Sequence, residues 1–176
     1  VRLEIGHPVL RLDAADLGGI DAHHITRAIE FHIARNGGGL RAAADLGPKA
    51  IGIQMDVTQQ ASIDAGFAAA AAQMGHLDIL INNAGYGGIA PLLDGGVEAM
   101  HRQFETNVYS LVGVTRACFG LLRASKGLVV NIGSVSGVLT TPFAGAYCAS
   151  KPAAHALTDA LRMELAPFGI GVMEVQ

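Results

Sequence analysis

The sequence predicts an α/β fold built on a doubly wound, mostly parallel sheet that is incomplete at both ends. Three observations carry that expectation. Short apolar runs alternate with longer helical patterns from residue 50 onward. The run Leu77-Asp78-Ile79-Leu80-Ile81 is almost continuously apolar, as in a strand covered on both faces. Asp56, Asn83 and Ser134 each fall at the end of such a run, which is where ligands bind in sheets of this kind.

The elements follow in order. Residues 50–56 read as a strand around Ile51 and Ile53. Residues 59–74 form an Ala-rich helix, with Thr58 as its N-cap. Residues 77–82 are the next strand. A long helix, irregular near its start, is expected over 97–124, then a strand over 127–132. Residues 147–165 are helical and 169–175 begin another strand. Along helix 147–165, Ala154, Leu157, Leu161 and Leu165 form a core stripe. Ala149, Ala153, Ala156 and Ala160 form a second stripe of small residues, read either as tight packing or as a subunit contact.

The bulk properties narrow the function. A length of 176 residues suits one domain with a sizeable core. A net charge of −3 without a basic block argues against nucleic acid and anionic membranes as partners. The apolar runs are too short to span a bilayer. Arg2, Glu4, Arg11, Asp13 and Asp16 break up any signal-peptide pattern, so a cytoplasmic location is expected. Cys118 and Cys148 lie in helical segments among apolar neighbours and read as reduced, buried thiols. His23-His24 has no companions at ligand spacing, so no metal is expected.

The chemistry concentrates in Tyr147-Cys148-Ala149-Ser150-Lys151. Residues four apart share a helix face, so the phenol and the ammonium point into one space. A phenol is a slow base at neutral pH, and a nearby cation favours the phenolate. Ser134 lies thirteen residues upstream in Val130-Asn131-Ile132-Gly133-Ser134, and Asn107 twenty-seven residues before that in Thr106-Asn107-Val108. Asn82-Asn83-Ala84-Gly85 follows one apolar run, and Asp56-Val57-Thr58 ends another. Taken singly, each has a bland reading. Tyr147 and Lys151 could be surface neighbours, Ser134 a polar strand end, Asn107 a helix-interior amide, and Asp56 an acid favoured by a helix dipole.

Together, in this order and spacing, these five features resemble the classical short-chain dehydrogenase/reductase family, a Rossmann-like fold. The resemblance covers residues 31–176 and leaves 1–30 unmatched. It implies hydride transfer between NAD(P)(H) and an alcohol or carbonyl. Tyr147 would be the acid/base and also a cofactor-binding residue, Lys151 its cationic neighbour and a ribose ligand, and Ser134 a donor to the substrate oxygen. Asn107 would hold a relay water. On the cofactor side it implies Asp56 and Val57 at the adenine, and Asn83, Ala84 and Gly85 beside the ribose. Arg35, following Phe31-His32-Ile33-Ala34 as a second strand, sits where the family reads the adenosine 2′ position. A guanidinium there favours NADP over NAD. The family also pairs helices equivalent to 97–124 and 147–165 across a dimer or tetramer interface. His155, one turn after Lys151, is expected on the same helix face.

The resemblance stops short at both ends. The Gly-rich turn expected near residues 9–16 is replaced by Val9-Leu10-Arg11-Leu12-Asp13-Ala14-Ala15-Asp16, whose acids would repel a pyrophosphate. Thr26-Arg27-Ala28-Ile29 resembles the first helix but lies too close to Arg35 for the family's register. The family's Pro-Gly turn, substrate loop and final strand have no counterpart. A fragment or frame-disrupted copy is the expectation. Extended relatives with epimerase or dehydratase chemistry also use a Tyr/Lys pair, but Asn82-Asn83-Ala84-Gly85 marks the classical branch. The alternative to an enzyme is a non-catalytic remnant, folded or poorly soluble.

Overall fold

The computed structural model describes residues 51–176 in full and the backbone of residues 2–3, 10–11 and 28–31. Strands β1 (Arg2–Leu3) and β2 (Leu10–Arg11) form a small antiparallel ribbon. The main sheet has four strands: β3 (Ala28–Phe31), β4 (Ile79–Asn82), β5 (Leu128–Ile132) and β6 (Gly171–Val175). They lie in the order β3-β4-β5-β6 and every pairing is parallel. Parallel neighbours require crossovers. Helix α1 (Gln60–Met74) precedes β4, and the long segment of α2 (Leu92–Phe104), a π-helical stretch (Glu105–Tyr109) and α3 (Ser110–Ser125) leads to β5. Helix α4 (Gly145–Leu165) leads to β6.

The core lies between this sheet and α3, α1 and α4. Leu80, Val129 and Val172 share one sheet face with Val114, Cys118 and Leu122 of α3, Ile63 of α1 and Leu165 of α4. On the opposite face Ile79, Ile81 and Val130 are equally hidden. That two-sided burial is why the β4 segment is apolar without alternation. On α4, Ala154 and Leu165 are buried and Leu157 and Leu161 half-buried, as the core stripe requires, whereas Ala149 and Ala156 are exposed. Burial pushes the Cys118 thiol up to about 12, in keeping with an inert core thiol.

Several expectations need correction. Residues 51–56 form no strand. They find no ladder partner among the described residues and lie largely exposed, while Met55 folds back onto Gly66 of α1, where a Cβ would collide with it. Thr58 does not cap α1. Gln59 takes the N-cap position, and the Thr58 hydroxyl donates instead to Asp56 Oδ1 at 2.7 Å. Ala28–Phe31 is a strand rather than part of a first helix, and residues 32–34 of the expected second strand lie outside the described residues. The long helix begins at Leu92 and is interrupted twice, at Gly96 with φ +60° and in the π-helical stretch. A positive φ suits glycine, which has no Cβ to clash.

Leu80 is completely buried and Leu93 is 93% exposed. Leu80→Ala is expected to lower unfolding free energy by about 2–5 kcal/mol, and Leu93→Ala to stay within about 0.5 kcal/mol. Urea denaturation of both variants measures the contrast.

Candidate active site

Helix α4 places Tyr147 and Lys151 one turn apart. The Lys151 ammonium lies 5.6 Å from the centre of the Tyr147 ring. It turns inward and donates to the Ile132 carbonyl at 2.9 Å, at the end of β5. The residue is only 7% exposed. Burial pushes the Lys151 ammonium below the ordinary lysine value, and the Glu174 carboxylate pulls in the opposite direction. The Ile132 carbonyl takes one of three ammonium N–H groups.

Two residues beyond Ile132, Ser134 has extended backbone and caps a short 3₁₀ turn, Val135–Gly137, by accepting from the Ser136 N–H at 3.1 Å. Its hydroxyl proton takes no part in that bond, so it keeps a donor. The loop after β4 passes close to the Tyr147 ring. A Cβ built on Gly87 would lie 3.8 Å from the Tyr147 ring.

Asn107 sits in the π-helical stretch and is 4% exposed. Its amide nitrogen donates to the Tyr86 carbonyl at 3.0 Å and to Ser150 Oγ at 3.1 Å, while its oxygen accepts from the Tyr86 N–H at 3.1 Å. Ser150 in turn donates to the Tyr147 carbonyl at 2.8 Å. The amide thus ties the loop after β4 to the helix that bears the Tyr/Lys pair. A π-helical turn inserts one extra residue and is frequent at functional sites. Gln103, one turn earlier, clamps the same loop by donating to the Tyr86 carbonyl at 2.5 Å and accepting from the Gly88 N–H at 2.9 Å.

Beneath these groups a buried polar chain crosses the sheet. Asn82 donates to Thr115 of α3 at 3.2 Å and to Asn131 of β5 at 2.8 Å, and Asn131 donates to Thr158 of α4 at 2.9 Å. Each buried amide is satisfied, as burial requires. The chain fixes the register of α3 and α4 over the two strands that end at the site.

The structure therefore gathers Tyr147, Lys151, Asn107 and the segments carrying Ser134 and Gly87. Ala84 packs against the core, and Gly85 lies against Asn107, where a Cβ would meet the amide oxygen at 3.4 Å. Asn83 follows directly on β4 and is half-buried. Asp56 is exposed and its Oδ1 accepts from the Thr58 N–H and hydroxyl, while Val57 is buried in the core. Both stand at the start of α1. Arg35 lies outside the described residues. Ser150, Gln103 and the polar chain were not singled out from sequence. The signal for Ser150 was its place inside the Tyr/Lys spacing, and for Gln103 its position four before Asn107. Among the described residues no group of three or more His, Cys, Asp or Glu could hold a metal ion. No helix there is long and apolar enough to cross a membrane.

The chain belongs to the short-chain dehydrogenase family, whose model matches residues 30–176. It is 42% identical over 101 residues to the short-chain dehydrogenase cctT of Talaromyces islandicus, covering 57% of this chain and 36% of that protein. It is 38% identical over 133 residues to a protein of Xanthobacter autotrophicus named inactive 2-(S)-hydroxypropyl-CoM dehydrogenase 2, covering 75% of this chain and 58% of that protein. Among solved structures, a short-chain dehydrogenase from Streptomyces avermitilis superposes with a TM-score of 0.75 at 32% identity, covering 85% of this chain and 57% of that one. A gluconate 5-dehydrogenase from Burkholderia cenocepacia, in complex with NADP and tartrate, superposes with a TM-score of 0.72 at 26% identity, covering 82% and 58%. The chain thus spans between 36% and 58% of the length of these proteins.

A lysine whose folded-state pKa lies below its unfolded value leaves the unfolded chain holding more protons between the two values. Stability then rises with pH across that interval. The urea midpoint is expected to climb as pH rises through the interval just below 10.5, the ordinary value for Lys151. Lys151→Met should lack that increment when measured alongside the parent chain.

Proposed function

We propose that this chain carries the chemical site of an oxidoreductase that transfers hydride between NAD(P)(H) and an alcohol or carbonyl, with Tyr147 as acid/base. The observation that supports it best is the inward-turned Lys151 beside the Tyr147 ring. The donors present suit a nicotinamide nucleotide: an ammonium with two N–H groups beyond its carbonyl partner matches a pair of ribose hydroxyls. When bound, the nicotinamide supplies or accepts the hydride.

The residues of the chain manage the proton. On reduction Tyr147 gives its phenolic proton to the carbonyl oxygen of the substrate, and on oxidation it takes one from the hydroxyl. Lys151 stabilises the phenolate that reduction leaves behind. Ser134 donates to the same substrate oxygen and stabilises charge gathering there. Asn107 holds the loop after β4 against α4, and a water near it would pass protons from Lys151 to solvent. Asp56, Val57, Asn83, Ala84 and Gly85 would face the adenosine side. Arg35 makes NADP the preferred form through its fit to a 2′-phosphate. The Burkholderia relative binds NADP. The exposed Tyr109 of the π-helical stretch, Val112 of α3 and the small residues of α4 would pair two copies. A cytoplasmic location fits this chemistry.

A second reading, a remnant without turnover, draws on Asp13 and Asp16 standing where the family has its Gly-rich phosphate turn. NADPH fluorescence titration separates the two. Saturable binding, weakened at least tenfold by Lys151→Ala, supports the enzyme. No binding by folded protein supports the remnant. With a reducible carbonyl in hand, Tyr147→Phe is expected to lower kcat by about 10²–10⁴ while leaving NADPH affinity within about threefold. Arg35→Glu is expected to weaken NADPH binding at least tenfold and NADH binding far less, as read by the same titration.

A further inference from the structure

Strand β6 brings one carboxylate under the site. Glu174 is the register partner of Asn131 in the parallel pair β5–β6. Paired residues in parallel strands project to the same side, and Asn131 reaches α4 at Thr158. Glu174 faces α4 too. Its Oε1 lies 2.6 Å from Nε2 of His155, which follows Lys151 by four residues and precedes Thr158 by three. The two side chains are only 14% and 18% exposed, and the two facing atoms have no hydrogen-bond partner of their own.

The same pair supports the turn that carries Ser134. A Cβ built on Gly133 would collide with the Glu174 carboxylate, and one built on Gly137 with the His155 ring. Gly133, before the turn, and Gly137, its last residue, therefore leave space that the pair fills. On α4 the carboxylate meets His155, and it lies against Gly133, the residue directly after the Ile132 carbonyl that binds the Lys151 ammonium.

We propose that Glu174, held by His155, is a positioning residue for the site: it steadies the Lys151 ammonium and forms the floor on which the Ser134 turn rests. This rests on the reading of Lys151 and Ser134 as working groups. A buried ion pair is weak evidence of a stabilising role, because an apolar replacement of similar size is often neutral or stabilising. The distinguishing consequence lies in Lys151. Glu174 raises the pKa of Lys151 against the opposing effect of burial, so removing its charge should move the lysine titration to lower pH.

The test is the pH titration of the Lys151 side chain by NMR in lysine-labelled 176-residue chain, with the signal assigned through Lys151→Arg. Glu174→Gln and the apolar Glu174→Leu are both expected to shift the titration downward. Glu174→Asp, which keeps the charge, should remain nearer the parent. The second neutral variant preserves the test if the amide variant does not fold. A Lys151 titration unchanged or shifted upward in the folded neutral variants overturns the proposal, as does an Asp variant shifted as far as the Leu variant. The titration needs neither cofactor nor turnover. If the parent chain binds no NADPH, the dehydrogenase reading fails while this measurement still decides the role of Glu174.

Discussion

The constraint on which the site depends is a lysine that cannot leave. Lys151 is anchored at the carboxyl end of β5 by the Ile132 carbonyl and is nearly excluded from solvent. Burial makes the ammonium form expensive, so the surroundings must supply the stabilisation that water no longer provides. They do so with a backbone carbonyl, an aromatic ring and a carboxylate on β6. Because Ile132 is held in the ladder with β6, opposite Val175, the lysine takes its position from the sheet rather than from its own flexible stem. The phenol one turn earlier is then placed by helix geometry.

The rest of the architecture can be understood as keeping α4 from sliding. Asn131 holds it from below at Thr158, and Asn107 holds it from the side at Ser150. Both contacts come from amides that are hydrogen-bonded at nitrogen and oxygen alike and almost fully buried. Buried amides of this kind favour one register over its neighbours, because a shift by one residue would strand donors away from water. The π-helical stretch belongs to the same arrangement. It gives Asn107 a place inside the packed layer, where it can reach Tyr86 and Ser150 together.

Much of this was legible in the sequence. The strands over 79–82, 128–132 and 171–175 were visible as apolar runs, and α4 through its Tyr/Lys spacing and Leu stripe. Segment 50–56 misled because an Ile-containing run predicts a strand only where a neighbouring strand is present to pair with it. Thr58 misled because its hydroxyl turns back to donate to Asp56, and Gln59 takes the N-cap position in its place. Glu174 was invisible for a different reason. A lone acid in an apolar strand has no partner in the linear chain, and His155 meets it only after β6 is laid beside β5. The polar chain from Thr115 to Thr158 is equally non-local, joining residues 33, 49 and 27 apart in sequence.

The groups proposed for chemistry and those proposed for reading the cofactor have different structural origins. Tyr147, Lys151, Ser134 and Asn107 come from the ends of β5, the π-helical stretch and the first turns of α4, all held by contacts among themselves and with β4 and β6. Asp56 and Val57 come from the start of α1, where the carboxylate organises a local turn. A chain can thus assemble the first set from interactions internal to residues 79–175 without drawing on the second. Affinity for the adenosine end and the readiness of the phenol for proton transfer are then separable properties. The two sets meet only through packing, since Val57 shares the core cluster with Leu80, Val114 and Val129.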